Sequence, residues 1–301
     1  MDQRWKKLGC IYNRQYYSSV PQSFHMSENI YRIFFSIRDN KNRSLPFSID
    51  IDIINLNILS EKHINIELGD TGTFDENGIM PTSYIQKGRE IYMYYIGWNT
   101  GKTVPFRNSI GLMLSDDKGE TFKKYSEGPI LDRSMHDKCF VAGNCVFKDD
   151  QCYRMYYQSC DRWSQTTDSQ LQHLYNIKYA ESQDAINWKR DGHIAIDYKY
   201  SNEYAISIPR VIFENTIYKM WYSYRGSPLA NTYRIGYAES NDGKLWVRKD
   251  DVLNLDVSSN GWDSEMICYP YVFDHNGERY MLYNGNGYGK TGIGLAVLDR
   301  K

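Results

Sequence analysis

The opening stretch, MDQRWKKLGC, has no apolar segment of the kind that drives export, and no unbroken apolar run approaches the roughly 20 residues that span a bilayer. A cytoplasmic protein without a membrane span is the expectation. Net charge is missing as well. Lys and Arg total 36 against 37 Asp and Glu, so no long-range field draws the chain to a polyanion, and nucleic acid is not an expected partner. Cysteine is sparse, with six in 301 residues. Although Cys139, Cys145, Cys152 and Cys160 cluster, none makes the C-x-x-C pairing of a zinc site. Reduced thiols are expected, with no metal and no cofactor. Ala-rich or Leu-rich heptads and Pro-, Gly- or Ser-rich linkers are also absent, which argues against helical bundles and against two tethered domains.

Aromatics are abundant: 27 Tyr, 11 Phe and 7 Trp. Such residues favour half-buried pleated surfaces, so the chain should be mostly strand. A phrase recurs, as IGYAESNDGKLW (Ile235 to Trp246), IKYAESQDAINW (Ile177 to Trp188) and, more loosely, IGLMLSDDKGETF (Ile110 to Phe122). Each copy alternates with period two and then supplies Asn, Asp or Gly, which suits a hairpin turn. Asp116, Asp184 and Asp242 in these turns are assigned to structure. Another hairpin precedes each copy, a short apolar strand followed by an aromatic strand of the Y-x-M-Y-Y kind, as in Gly78 to Asn99, Val141 to Trp163, Ile206 to Gly226 and Met266 to Gly289. Ser23 to Asp39 repeats the plan near the start.

Repetition of four-stranded units at this spacing signals a propeller. The expected fold is all-β, a single five-bladed β-propeller of antiparallel blades near 20–68, 75–132, 140–198, 204–255 and 264–301. The last blade lacks an outer strand, which residues 4–13 would supply, closing the ring and covering an edge. In such a blade the start of strand one and the end of strand two share a face. That face gathers His25, Arg38, Asp39, Asp75, Trp98, Asn144, Asp161, Glu203, Arg210, Arg225, Asp263, Glu265, Tyr269 and Asn286. Acids, guanidinium groups, amides and aromatic faces together suit a sugar, whose hydroxyls need donors and acceptors while its C–H face stacks on rings.

The five-unit pattern, the S-x-D-G-x-x-W turns, and TFDENGIMPTSY, IPRVIF and WDSEMICYPYVF at inner strands resemble the five-bladed carbohydrate enzymes. These are the arabinanases and xylosidases, invertases and levansucrases, and mannoside phosphorylases (families 43, 32 and 130). FFSIRD, GTFDENG, YYIGWN, WDSEM and MLYNGNGYG are similar to a group of such propellers associated with bacterial surface-polysaccharide genes. The resemblance implies three funnel acids, yet His25 stands where the first blade should carry Asp, and VAGNCVF offers only Asn144. Acids for hydrolysis would come from Asp39, Asp75, Asp161, Glu203, Asp263 and Glu265, with Glu265 as general acid and Asp75 or Asp39 as base. His25, Arg38, Trp98, Asp161, Arg210, Arg225, Asp263, Tyr269 and Asn286 would bind substrate. Phosphorylases of this kind hold phosphate with Arg and His, so a phosphate-bearing sugar belongs among the expected ligands, beside a neutral sugar or glycan.

Each assignment has a structural alternative. Asp75 could form a turn, Arg38 and Asp39 could be a salt bridge, Arg210 could meet a neighbouring carboxylate, and His25 could be a satisfied histidine. The functional expectation is an enzyme acting at a glycosidic bond, by hydrolysis, phosphorolysis or transfer, in surface-polysaccharide metabolism. The alternatives are a non-catalytic sugar-binding propeller and a protein-interaction scaffold. Oligomeric state is left open.

Overall fold

The computed structural model describes residues 3–166, 168–228 and 230–299; Arg300 and Lys301, at the end of the expected fifth blade, lie outside them. After β1 (Gln3–Tyr12) come four sets of four strands. The first is β2 (Ser19–Ser27), β3 (Ile30–Arg38), β4 (Ser44–Asp52) and β5 (Asn57–His63). The second is β6 (Gly78–Lys87), β7 (Glu90–Thr100), β8 (Phe106–Ser115) and β9 (Lys123–Lys124). The third is β10 (Phe140–Lys148), β11 (Tyr153–Gln165), β12 (Leu171–Ser182) and β13 (Ile194–Ile196). The fourth is β14 (Ala205–Glu214), β15 (Ile217–Arg225), β16 (Arg234–Ser240) and β17 (Val247–Arg248). After β18 (Leu253–Asn254), the described chain ends in β19 (Cys268–His275), β20 (Glu278–Asn284) and β21 (Ile293–Asp299).

Neighbours within each set pair antiparallel. The last set is completed by β1, which pairs antiparallel with β21 from Arg4↔Asp299 to Tyr12↔Ile293. The inner strands β2, β6, β10, β14 and β19 touch in succession, and β19 touches β2. The ring is a five-bladed propeller closed by its N-terminal strand.

The Y-x-M-Y-Y pattern has a packing cause. Adjacent residues of a strand face opposite sides, so the two large side chains of each second strand enter two different inter-blade cores. Tyr94 packs with Val146, Met155 and Tyr157 of the third blade, whereas Tyr95 packs with Phe24, Phe34 and Phe122. Tyr156 and Tyr157 divide in the same way, as do Trp221 and Tyr222. A third-strand residue must then leave room for the second ring. Gly111, Gly236 and Gly294 stand opposite Tyr95, Tyr222 and Tyr283. In the third blade Lys178 occupies that position, opposite Tyr157.

The repeated turns latch each blade to its neighbour. Asp184 accepts from the Ile186 and Asn187 amides, and Asp242 from those of Lys244 and Leu245. In the first copy Asp117 does this, not Asp116 as the sequence suggested, because Asp117 stands two residues after Ser115, as Asp184 does after Ser182. The tyrosines of the preceding blade donate to the turns, Tyr94 to the Ala185 carbonyl (2.7 Å) and Tyr156 to that of Gly243 (2.6 Å). The closing Trp188, Trp246 and Phe122 rings then pack on Tyr94, Tyr156 and Phe34.

All five inner strands bulge at one level, between Ser19 and Gln22, Pro81 and Ser83, Val141 and Asn144, Ser207 and Arg210, and Cys268 and Tyr271. Three bulges place a non-glycine residue at positive φ just before a proline: Val20 (58°), Ile208 (46°) and Tyr269 (57°). A β-branched residue there is strained, at a cost on the order of 1–3 kcal/mol. The edge of an inner strand that faces the axis has no partner strand, so proline costs no ladder bond.

The glycine requirement is testable. A Cβ at Gly111 would lie 2.2 Å from Tyr95 Cζ, so Gly111→Ala should destabilise by about 1–3 kcal/mol through overpacking. Urea unfolding followed by far-UV circular dichroism would detect this, and an unchanged midpoint would contradict it.

Candidate functional site

The bulges turn Val20, Ile208 and Tyr269 into a cavity of about 260 Å³ on the propeller axis. It lies on the face where inner strands start and second strands end, as the blade geometry required. Arg38, Trp98 and Arg225 come from the ends of β3, β7 and β15. Phe106, Asn108, His173, Tyr175 and Tyr233 come from the starts of third strands or just before them, and Tyr288 from the loop after β20.

Arg225 dominates the electrostatics. Its guanidinium lies 4.8 Å from the ring centroids of both Tyr204 and Tyr233 and 5.8 Å from that of Tyr288. Nη1 donates to the Tyr288 hydroxyl (2.7 Å), and Nη2 lies 3.3 Å from His173 Nε2. Nε is buried with no partner. Burial, aided by the Arg225 charge, pushes the His173 pKa down to about 4, so at neutral pH the imidazole can accept from Arg225. The ring stacks on Tyr175 at 4.9 Å and 8°. Burial pushes the Tyr175 and Tyr269 phenols well above their ordinary value, so they act as neutral hydrogen-bonding groups. Trp98 Nε1 and Asn108 Oδ1 are likewise buried without partners. Arg38 stacks on Tyr17 at 4.9 Å and donates to Asn42 Oδ1 (2.7 Å). No Asp or Glu is among the described residues that line this cavity.

The six acids put forward from the sequence are elsewhere. Asp75 is buried, paired with Lys124 Nζ (2.8 Å) and accepting from Tyr95 (3.0 Å). Asp263 repeats this with Lys7 (2.6 Å) and Tyr283 (3.1 Å). So does Asp137 with Arg190 (2.8 Å) and Tyr157 (3.2 Å). In all three the acid precedes its tyrosine by 20 residues. These are copies of one blade staple, joining the entry to strand one with strand two and with the outer part of the blade. In the fourth blade Asp250 takes Tyr222 (2.6 Å) and Arg248 (2.8 Å), while buried Glu203 also binds Arg248. Asp39 closes its own loop by accepting from the Lys41 and Arg43 amides and from Arg43 Nε. The Arg38–Asp39 pair does not form. Asp161 binds Lys178 in a separate cleft with Tyr198. Glu265 is exposed.

Of the expected binding residues, Arg38, Trp98, Arg225 and Tyr269 meet in the cavity. Arg210 lies in a smaller chamber adjoining it, sharing Val20 and Ile208. His25 does not take part, because β2 starts at Ser19, earlier than expected. Its ring lies by the β2–β3 turn, against the Glu28 carbonyl. Asn286 is a structural amide whose Oδ1 accepts from the Glu265 and Met266 amides. Sequence reasoning missed Phe106, Asn108, His173, Tyr175 and Tyr233. Antiparallel register would have found several of them, since Trp98 stands opposite Asn108 and Trp163 opposite His173.

The family described as glycosyl hydrolases family 32 N-terminal domain matches residues 15–260. "Uncharacterized protein Rv1502" of Mycobacterium tuberculosis (strain ATCC 25618 / H37Rv) is 36% identical over 306 residues, spanning 98% of this chain and 99% of its own. Among solved structures, one described as a glycoside hydrolase superposes with a TM-score of 0.76 at 17% identity, covering 99% of this chain and 91% of that one. The endo-arabinase from Bacteroides thetaiotaomicron VPI-5482 gives 0.68 at 14% identity, with 95% of each chain covered.

Two outcomes follow from the site. Asp75→Asn leaves the half-buried Lys124 without its counter-charge and should cost about 3 kcal/mol, the low end expected for breaking a buried pair, whereas exposed Glu265→Gln should stay within about 0.5 kcal/mol. Chemical denaturation of both variants compares them, and equal stability would dismiss the staple. His173 binds protons less readily folded (about 4) than at its ordinary value of 6.5. Between these values the unfolded chain holds more protons, so stability should fall as pH drops from 6.5 towards 4. His173→Gln should flatten this part of the stability–pH curve, and an identical curve would contradict the assignment.

Proposed function

Because the chain belongs to the glycosyl hydrolase family 32 N-terminal-domain family, and is glycosidase-like and carbohydrate-active on that ground, we propose that its axial cavity recognises an anionic sugar. The ligand would be a phosphate- or carboxylate-bearing saccharide. The observation that carries this reading is Arg225. It is a half-buried guanidinium whose buried Nε has no partner, ringed by tyrosines, in a cavity lined by no Asp or Glu among the described residues. A guanidinium held this way selects an anion by geometry and by charge. The unpartnered Trp98 and Asn108 atoms suit sugar hydroxyls, and the Trp98, Phe106 and Tyr233 rings suit a C–H face.

Ordinary glycosidic cleavage uses two carboxyl groups roughly 5–9.5 Å apart across the scissile bond. The cavity wall offers no such pair among the described residues, so recognition is the reading that the geometry supports best. Turnover at a glycosidic bond, by hydrolysis, phosphorolysis or transfer, is the second reading. It is favoured by family membership and by Glu265, which is exposed and whose carboxylate has no partner among the described residues. Surface-polysaccharide metabolism inside the cell is the setting we propose for either reading, since acidic sugars and sugar phosphates occur there. The six unpaired thiols support a reducing location.

Thermal shift and calorimetry with hexose phosphates and hexuronates, set against the parent neutral hexoses, test the proposal. At least one charged class should bind more tightly than its neutral parent, and which class it is separates phosphate from carboxylate. Arg225→Met should weaken that binding roughly 10- to 100-fold, as expected for loss of a charge-assisted contact. Equal responses to charged and neutral sugars would retire the proposal. Turnover of aryl glycosides, with or without phosphate, that is lost in Glu265→Gln would establish the second reading instead.

A further inference from the structure

Next to the sugar cavity is a chamber of about 10 Å³, lined by Gln22, Thr82, Ser83, Cys145, Arg210 and Tyr271, among others. That is room for about one water-sized particle. Arg210 Nε donates to the Val272 carbonyl (2.9 Å), and the guanidinium lies 4.1 Å from the Tyr271 ring centroid. No Asp or Glu among the described residues forms an ion pair with it.

The nearby groups do not neutralise this charge. Tyr84 and Tyr271 both donate their hydroxyl protons to the Ser23 carbonyl, at 2.7 and 3.3 Å. Burial pushes the Tyr84 phenol and the Cys145 thiol up, so both stay protonated. A second, independent sign comes from the opposite wall. Gln22 is fully buried, and neither its amide nitrogen nor its oxygen has a partner. Thr82 and Ser83 are already used: the Thr82 hydroxyl donates to the Tyr94 carbonyl and accepts from Asn144, and the Ser83 oxygen accepts from the Val146 amide.

From this chamber we infer a second site, for a small inorganic anion of the halide class, held between the Arg210 guanidinium and the Gln22 amide. A water molecule would fit the space but would leave a buried charge uncompensated, which is expensive in a low-dielectric interior. A cation is disfavoured by the guanidinium and finds no carboxylate among the described lining residues. A phosphate or sulfate is too large. The anion would balance Arg210 on the propeller axis, on the wall shared with the sugar cavity.

The test needs no sugar, so it stands or falls separately from the reading of the larger cavity. Crystals grown or soaked in sodium bromide should show an anomalous peak between Arg210 and Gln22. In solution, replacing sodium gluconate by sodium chloride at constant ionic strength should raise the melting temperature by about 2–4 °C. Arg210→Met should lose that response. If this variant does not fold, the bromide peak in the wild-type protein still decides. A chamber that holds only water, a melting temperature indifferent to the exchange, or a folded Arg210→Met that still responds to chloride would each overturn the assignment.

Discussion

A buried carboxylate at the entry to a blade holds the rest of this architecture in place. Asp75, Asp137 and Asp263 each bind a strand-two tyrosine and a basic residue from the outer part of the blade. The tyrosine is one of the pair that fills the inter-blade cores, so the staple fixes a ring on which two neighbouring blades pack. For Tyr95 and Tyr283 the facing glycine, Gly111 or Gly294, follows from the same constraint, since the ring needs the volume that a Cβ would take, whereas Lys178 faces Tyr157. Each inner strand so stapled is therefore anchored at its entry, next to the bulge that forms the cavity wall.

That arrangement commits Asp75 and Asp263, two of the acids put forward for catalysis, to the frame. The staple acids sit at strand entrances, where a catalytic acid would also sit, but their side chains are committed to Lys124, Arg190 and Lys7. What remains at the axis is positive and aromatic. Arg38, Arg225 and Arg210 are spread over two adjoining spaces, with neutral phenols and a neutral imidazole around them. The family scaffold and the present lining point to different chemistries, and the lining is what a ligand meets.

Much of the fold was legible in the sequence because period-two alternation, acidic turns and the aromatic pair are local patterns. Repeated around the ring, they leave little choice of architecture, and even the role of β1 could be read from the missing outer strand. The site was less legible. The ends of second strands identified Arg38, Trp98 and Arg225, and the start of an inner strand Tyr269, but a carboxylate at such an entrance looks the same on paper whether it faces the axis or a distant lysine, as Asp75 faces Lys124. The 20-residue interval shared by three acid–tyrosine pairs was the available signal that Asp75 and Asp263 belong to the frame. His173 could not be found from entrances alone, because it reaches the cavity from the start of a third strand, through register with Trp163.

Closure by β1 has a consequence for how the chain is made. During translation β1 leaves the ribosome ahead of the other described strands, yet its antiparallel partner β21 is the last of them to be synthesised. Until then it offers an unpaired edge with Trp5 and Ile11 uncovered, and the first and last blades cannot seal against each other. Completing the ring means closing a loop that takes in all the strands between, a slow, late step of high contact order. A nascent chain in that interval is exposed to strand exchange with another copy, which would present the same unpaired edge.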